Sequence, residues 1–451
     1  MVLFLGFAAA LTGVLLVAFN SGQVSNAKMR AMNAADAAAY SGAVWEARSL
    51  NYQAYMNRAM IVNEVTIAQS VSLRSWVAYL KEFVERINNI TQFVPWVGKV
   101  TTAIKKGIVQ IDNSVQNLLP IAEKALRTLN HVEHNSQNAM NGLTLLAAQE
   151  LASEVAQKNG ASMSTANTAL WVPNGQKWLA LTETYSSKTA GVKGDGRARL
   201  REVALNSRDG FTQARNWSLG GKPIAEARKQ GGTELMDYDS WKGVDSAQLR
   251  SVYFFGWKVR LDLGWGGAQS YSSKAPVSKM VNFGGSKEWG DSDGKEANKV
   301  SQDKQYASKN GEFPGYRDIQ NTATQDASLS LPFAVEVVIK DGDIPDSVSA
   351  LKAKSALTDG TTIDHDPNYG GSDAGVFALS EACVTFERPF KGERRTSSNG
   401  IDNTKEYPSL FNPYWRASLA TESAVSRSIV DAAKKLIPVA IKGGATCKSG
   451  A

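Results

Sequence analysis

The chain opens on an uninterrupted apolar stretch, Met1 to Phe19, and carries no charged side chain before Lys28. About 20 apolar residues, at a rise of 1.5 Å each, are enough to span the ~30 Å hydrocarbon core of a bilayer. The helical pattern continues past Asn20, with small residues and regularly spaced polar positions, towards Arg58. We therefore predict a long N-terminal helix over residues 1–60, whose first part is a membrane anchor.

Two other interpretations of this stretch stay open. A secretory signal peptide is also apolar, but a basic segment precedes its apolar part, and none precedes this one. A buried core helix of a globular domain is the second alternative. The missing basic segment also favours Met1 as the first residue left after removal of a short leader over Met1 as the initiator.

Residues 61–160 are predicted to form a helical bundle that extends the first helix as a stalk. Two apolar stripes with i, i+3, i+4, i+7 spacing lie in it. The first comprises Leu73, Trp76, Val77, Leu80, Val84 and Ile87, and the second comprises Ile104, Ile108, Ile111, Val115 and Leu118. Pro95 separates the two stripes, and we expect Pro120 to end the second. A third helix is expected from about Ile121 to Gln157, with Asn159 and Gly160 as its stop signal.

Residues 161–451 change in texture to glycine, serine and aromatic residues and are predicted to form a mixed, surface-exposed domain. Apolar residues alternate with polar or glycine residues from Val252 to Trp265, which predicts a half-buried antiparallel strand. The same alternation predicts strands at Phe333–Ile339 and Ala382–Phe386. A long loop is expected from Gly284 to Tyr316 and a last helix from Thr421 to Leu436. The predicted fold class is α+β, with helices first and an antiparallel sheet with long loops after them.

Composition and charge exclude several classes of function. With 43% hydrophobic and 21% charged residues, the chain is globular rather than disordered. The net charge of +7 comes without any run of five basic residues, which gives no indication of nucleic-acid binding. Two cysteines and three histidines argue against most zinc sites. Gly-x-Ser-x-Gly, the P-loop and His-Glu-x-x-His motifs are absent, so we predict no enzyme, no catalytic residue and no cofactor.

One acidic loop offers weak candidates for a calcium site. Four carboxylates in a glycine-rich segment could supply oxygen ligands: Asp359, Asp364, Asp366 and Asp373. Their spacing does not match an EF-hand, so a solvated loop is the favoured interpretation.

The apolar stretch contains small residues four positions apart, Gly6 with Ala10 and Ala9 with Gly13. This spacing lets helix backbones approach closely. The ordinary Ala and Gly content of a lipid-facing span explains it equally well. The residues predicted to pack helices together in an assembly are Leu3, Leu5, Gly6, Ala9, Ala10, Gly13, Leu15 and Val17.

Behind the apolar stretch, Met32 to Ala39 reads Met-Asn-Ala-Ala-Asp-Ala-Ala-Ala. An apolar segment, a short polar break and this motif (Asn33, Ala34, Ala35 and Asp36) together resemble the N-terminal region of TadE/TadG-like proteins of tight-adherence pilus systems, within the wider type IV pilin-like machinery. The resemblance covers about the first 60 residues. It implies an inner-membrane helix, export of the C-terminal part, and a role in building or forming a surface filament.

The chain departs from pilins at one position. Pilins commonly carry a glutamate as the fifth residue of the mature chain, whereas this chain has Leu5, and its first carboxylate is Asp36. Either assembly relies on apolar and small-residue packing alone, or the protein is an accessory that does not polymerise.

Export also bears on Cys383 and Cys447, because an oxidising compartment allows a disulfide between them. Closing so long a loop contributes about 4 kcal/mol on the chain-entropy model. Two unrelated thiols are the alternative.

We therefore expect a structural subunit of an extracellular Tad-like filament, a helical homopolymer assembled through its N-terminal helices. Its partners would be copies of itself and the pilus-assembly machinery, with the bacterial inner membrane holding it before assembly. A membrane-anchored accessory protein or minor pseudopilin is the first alternative. A surface adhesin, suggested by the eleven tryptophans and the long loops, is the second.

Overall fold

The computed structural model describes residues 1–186, 197–221, 225–251, 260–271, 273–275, 280, 293–320, 329–345, 365–366, 375–387, 396–397, 400–401 and 408–434. The α-helices in these ranges are α1 (Val2–Thr91), α2 (Pro95–Lys158), α3 (Asn167–Leu181), α4 (Arg197–Asn206), α5 (Asp293–Gln302) and α6 (Ala424–Lys434). The strands are β1 (Ser162–Met163), β2 (Thr182–Tyr185), β3 (Trp217–Gly221), β4 (Ala225–Leu235), β5 (Trp241–Ser251), β6 (Arg260–Ser270), β7 (Ala307–Ser308), β8 (Tyr316–Ile319), β9 (Ser330–Lys340), β10 (His365–Asp366), β11 (Gly375–Phe386), β12 (Thr396–Ser397), β13 (Gly400–Ile401) and β14 (Trp415–Ala420).

The chain forms two compact units, each built from separate stretches. Unit 1 contains Met1–Tyr55, Gln137–Glu183 and Asp318–Ala451, and unit 2 contains Met56–Ser136 and Thr184–Arg317. Long helices followed by antiparallel sheets and a terminal helix confirm the α+β class. The division at residues 60 and 160 stays a prediction.

The N-terminal helix is longer than the sequence pattern indicated. Helix α1 continues through the first apolar stripe to Thr91, and α2 begins at Pro95, where a proline needs no backbone N–H partner. The stop at Gly160 is confirmed, because its φ of +74° is a left-handed conformation that favours glycine.

The expectation that Pro120 ends a helix is wrong, because Pro120 lies inside α2. An internal proline costs about 3 kcal/mol, since it removes one helical hydrogen bond. Buried contacts on both sides of it hold α2 in place. Arg74 of α1 donates to Gln116 at 2.9 Å and to Glu123 at 3.1 Å.

Unit 1 is built around an antiparallel sheet ordered β1–β9–β11–β10, with β14 also paired to β11. The predicted strands at Phe333–Ile339 and Ala382–Phe386 are confirmed, and Phe333 lies opposite Ala382. One face of β9, including Phe333, joins a core with α1 and α2, while Ala334 on the other face packs with residues of α3 and α6. Both faces of the central strand are therefore covered.

Unit 2 contains a sheet ordered β3–β4–β5–β6–β7, antiparallel except for the β6–β7 pair. In the predicted strand Val252–Trp265, residues 252–259 lie outside the described residues and β6 starts at Arg260. The expected apolar face is wrong at Leu261, which is 46% exposed. A register shift opposite Ala247 and Gln248 disrupts the two-residue alternation on which the prediction relied.

Glycines in β6 allow helices to approach both faces of this sheet. A Cβ at Gly266 would overlap the backbone of Tyr79 in α1, and one at Gly267 would overlap the backbone of Ala297 in α5.

Helix α5 and strand β7 lie where a loop from Gly284 to Tyr316 was predicted, so that part of the prediction is wrong. Helix α5 was not predicted because most of its residues are polar, although its Ala297 is buried. The predicted last helix is confirmed as α6, which begins at Ala424 rather than Thr421; residues 435–436 of the prediction lie outside the described residues. Ser423 caps its first turn, with the N–H of Ser426 donating to Ser423 Oγ at 3.1 Å.

Candidate functional site

Residues 2–19 form an apolar helix that no other described element covers. Apart from the partly buried Leu16, its large side chains are exposed; Leu3 is 91% exposed, Leu11 52% and Val17 49%. The predicted assembly residues all lie in this segment and all are exposed except Gly13, which is partly buried. An apolar surface around the whole circumference is typical of a helix in lipid or inside a larger assembly.

The segment also has the length and chemistry of a membrane span. Helix Val2–Asn89 contains an 18-residue window with a mean hydropathy of 2.5, and 0% of that window is buried. Residues 2–19 extend about 27 Å at 1.5 Å per residue, close to the ~30 Å hydrocarbon core. The hydroxyl of Thr12 donates to the carbonyl of Ala8 at 2.8 Å, so it needs no outside partner.

From Asn20 onwards, the same helix becomes part of the core of unit 1. Val24 is 1% exposed, and below it runs a stripe of fully or almost fully buried alanines: Ala27, Ala31, Ala34, Ala35, Ala38, Ala39, Ala43 and Ala47. The alanines pack with apolar residues of β9 and β11 and with α2. Gly42 lies so close to the Phe333 ring that a Cβ there would overlap it. Small residues are thus needed for contact within the chain.

Within the Asn-Ala-Ala-Asp motif, the residues have different surroundings. Asn33 is exposed, Ala34 and Ala35 are 0% exposed, and Asp36 is half-buried. Ser380 Oγ donates to Asp36 Oδ1 at 2.7 Å. About two turns earlier on the helix, Lys28 Nζ donates to a backbone carbonyl of β11 at 2.7 Å. Both bonds fix α1 against β11, a role that the sequence did not indicate.

A buried carboxyl lies further along the same helix. Glu46 is 1% exposed, and burial raises its pKa well above the ordinary value. Its Oε2 atom has no hydrogen-bond partner among the described residues. Burial therefore favours the neutral, protonated form of Glu46 in the folded chain.

We expect the Glu46→Gln variant to be more stable than the native chain at pH 8 and close to it at pH 5. The folded pKa lies above the unfolded one, so the native chain loses stability as the pH rises through the unfolded value. Gln, which is always neutral, avoids a desolvation cost of about 1–3 kcal/mol. Urea unfolding of both proteins at the two pH values measures this difference. Glu150→Gln, at an exposed site in α2, is the control and should show no such pH-dependent gain.

The calcium site in the acidic loop stays a prediction. Asp359, Asp364 and Asp373 lie outside the described residues, and Asp366 is described only as part of β10. Among the described residues, no group of three or more His, Cys, Asp or Glu could hold a metal ion. A 420 Å³ cavity beside Asp36 is lined by two carboxylates, Asp36 and Glu422, and by the guanidinium of Arg427.

The cysteine pairing also stays a prediction. Cys383 is 2% exposed in the middle of β11, opposite Ser418 of β14. Cys447 lies outside the described residues.

Unit 2 contains buried charges that the sequence reasoning missed. Arg127 pairs with Glu64 at 2.9 Å, and Arg74 pairs with Glu123 at 3.1 Å, so each pair joins α1 to α2. The Trp241 side chain adds an Nε1 hydrogen bond to Glu64 at 2.9 Å. The signal that could have revealed these pairs is the polar residues that recur along one face of α2.

A third buried charge holds the sheet of unit 2 against α1. Burial alone would raise the pKa of Asp245, but Arg215 and Lys229 hold it below its ordinary value. Both cations reach Asp245 at 2.8 Å, and Ser75 of α1 donates to it at 2.8 Å. Every partner named here is a residue of unit 2, so the arrangement stabilises the fold of that unit.

Burial also lowers the pKa of Lys242 to about 8. Its Nζ donates to the carbonyl of Ala275 at 2.8 Å and to Asn298 Oδ1 at 3.0 Å. A third bond, at 3.2 Å, reaches the carbonyl of Ser273. These fixed oxygens occupy all three donor positions of the ammonium group.

Comparison with known proteins gives one positive result. No curated protein matches the chain, and no solved structure matches it. Residues 1–45, which contain the apolar segment and the alanine motif, match the family model described as "Putative Flp pilus-assembly TadE/G-like", which confirms the resemblance and suggests a pilus-related protein.

Proposed function

We propose that the chain is a membrane-anchored accessory component of a Tad-like pilus-assembly system. Residues 2–19 would lie in the inner membrane, and the two folded units would be exported. The observation that carries this proposal is the abrupt change at Asn20, where an exposed apolar helix of about one bilayer thickness becomes a buried helix of unit 1.

The burial of the alanines supports an anchor over a filament core. A helix that packs against copies of itself needs an exposed small-residue face, but Ala34, Ala35 and Ala38 are already covered by the chain's own sheet. The exposed part of the helix also lacks a carboxylate that could pair with the amino terminus of a neighbouring subunit. What remains exposed is apolar surface, which lipid can cover by itself.

A filament subunit, the function first expected from the sequence, is the second candidate. One observation favours it: Gly6 and Gly13 have open space around them, so a second helix could approach closely there. The adhesin alternative gains no support from Trp178, Trp241 and Trp415, which are buried in the cores of their units.

The double variant Gly6→Leu with Gly13→Leu separates the two candidates. Lipid accepts leucine as readily as glycine, so an accessory anchor should stay in the membrane fraction and support pilus formation as before. In a tightly packed helical core, the two isobutyl groups would force the backbones apart and fibres would be lost. Fibres sheared from cells are counted by electron microscopy, and their protein content is measured by mass spectrometry.

Abundance in the sheared fibres provides the second measurement. An accessory anchor should be scarce in the fibre fraction and enriched in membranes. If the native chain dominates the fibres and the double variant abolishes them, the accessory function is wrong and the filament subunit replaces it. Gly142→Leu, at an open and exposed glycine of α2, is the control for adding leucine outside the apolar segment.

A further inference from the structure

In unit 2, helix α2 has apolar side chains on its outside and polar side chains on its inside, which is the reverse of an ordinary surface helix. Between residues 97 and 132, eight large apolar side chains are between 45% and 67% exposed: Val97, Val100, Ile104, Ile111, Leu118, Ile121, Leu129 and Val132. The residues that face inward are polar and almost fully buried, namely Asp112, Gln116, Glu123, Arg127 and Asn130. The second apolar stripe, from which we predicted a helical bundle, thus has its Ile104, Ile111 and Leu118 on the outside. We call these eight exposed residues the outer face of α2.

The outer face has a seven-residue period. Apolar residues occupy every seventh position over the whole stretch: Val97, Ile104, Ile111, Leu118, Ala125 and Val132. A repeat of seven corresponds to 3.5 residues per turn, which is the period of a left-handed coiled coil. The companion row three residues further on is apolar at Val100 and Ile121 and small or polar at Gly107, Ser114 and Thr128, so the face offers one continuous apolar row. The stretch is about 52 Å long at 1.5 Å per residue, which amounts to five heptads. A surface of this shape fits another α-helix.

The charges along the outer face have one sign. Lys99, Lys106 and Lys124 are exposed beside it. The carboxylates of Asp112 and Glu123 lie on the inward face, paired with Lys81 at 3.0 Å and Arg74 at 3.1 Å. The rim therefore presents lysines without the acidic residues that would balance them. A second copy of the chain would bring two such rims together, whereas an acidic partner would complement them.

We propose that the outer face of α2 binds an α-helix of another protein, one whose apolar heptad seam is flanked by Asp and Glu. The partner helix would cover the isoleucines and leucines of the face and place its carboxylates against Lys99, Lys106 and Lys124. This inference is independent of the anchor proposal, because it concerns only the folded part of unit 2.

Two synthetic heptad peptides of equal length test the proposal on the full chain in detergent. Both have the same Leu and Ile seam, and one has Glu and the other Lys at the flanking positions. The Glu peptide should bind at least about tenfold more tightly than the Lys peptide, and the preference should shrink as salt is raised. Binding is measured by fluorescence anisotropy of the labelled peptides.

Variants of the chain locate the binding surface. Ile111→Asp with Leu118→Asp should weaken binding of the Glu peptide at least about tenfold, because two charges would face an apolar seam. Val62→Asp, at a 63% exposed site in α1, is the matched control and should bind as the native chain does. Lys106→Glu with Lys124→Glu adds no charge to the apolar positions and should reverse the peptide preference.

Several outcomes would overturn the proposal. It is wrong if neither peptide binds, if both bind equally, or if the aspartate pair leaves binding unchanged. Self-association of the native chain that the aspartate pair abolishes would assign the face to a second copy. Displacement of the Glu peptide from the chain by anionic but not by neutral mixed lipid–detergent micelles would assign it to a lipid surface.

Discussion

Leu11→Arg combined with Leu15→Arg should release the chain from carbonate-washed membranes. Both side chains are exposed in the apolar segment, at 52% and 62%. An arginine near the middle of a membrane helix costs about 2.5–3.5 kcal/mol on insertion scales, and leucine is favourable there, so the pair costs about 6 kcal/mol or more. We expect most of the chain to move to the soluble fraction.

The same double variant should leave the two folded units intact. None of the residues in the apolar window is buried in the folded chain, so the arginines replace no buried side chain. Limited proteolysis of the two folded units, from Asn20 onwards, should give the same fragments in the variant and the native chain. Leu11→Ile with Leu15→Ile is the control and should stay in the membrane. Retention of the arginine variant in carbonate-washed membranes, to the same extent as this control, would exclude residues 2–19 as the anchor.

The exposed apolar helix of residues 2–19 was predictable because its evidence lies in residue type alone. Absence of charge before Lys28 over a stretch of sufficient length indicates a span without any knowledge of neighbours. The strands that contain Phe333 and Val384 were also predictable, since an alternation of two positions has few explanations.

The partner of each helix face was not predictable. A stripe of alanine such as Ala34 to Ala38 packs equally well against a second copy or against the chain's own sheet, and the structure uses the sheet. The isoleucines of α2 gave the same periodic signal as a buried stripe, yet Ile104 and Ile111 lie outside. Periodicity defines a face, but it does not say which face is turned inward when the opposite one can form buried ion pairs.

The buried ion pair between Arg74 of α1 and Glu123 of α2 holds the polar face of α2 against α1. Breaking this pair is the second change for which we expect a large effect. Arg74 and Glu123 are each 0% exposed. Arg74 also donates to Gln116 at 2.9 Å and to the carbonyl of Tyr306 at 3.0 Å. The Arg74→Met variant would leave Glu123 buried without its cation, which costs about 3–5 kcal/mol. We expect the hydrogen-exchange protection of α1 and α2 in unit 2 to fall by about two to three orders of magnitude, since 1.4 kcal/mol corresponds to tenfold.

Two further variants determine whether the missing charge or the missing packing is responsible. Adding Glu123→Gln to Arg74→Met should restore much of the protection, because the neutral amide no longer needs a cation and Ser70, which donates to Glu123 at 2.6 Å, remains as a partner. Lys299→Met, which removes the exposed pair with Glu296 in the same unit, should cost about 0.5 kcal/mol or less. If Arg74→Met changes exchange no more than Lys299→Met does, then the buried pair is not what holds α2 with its polar face inward.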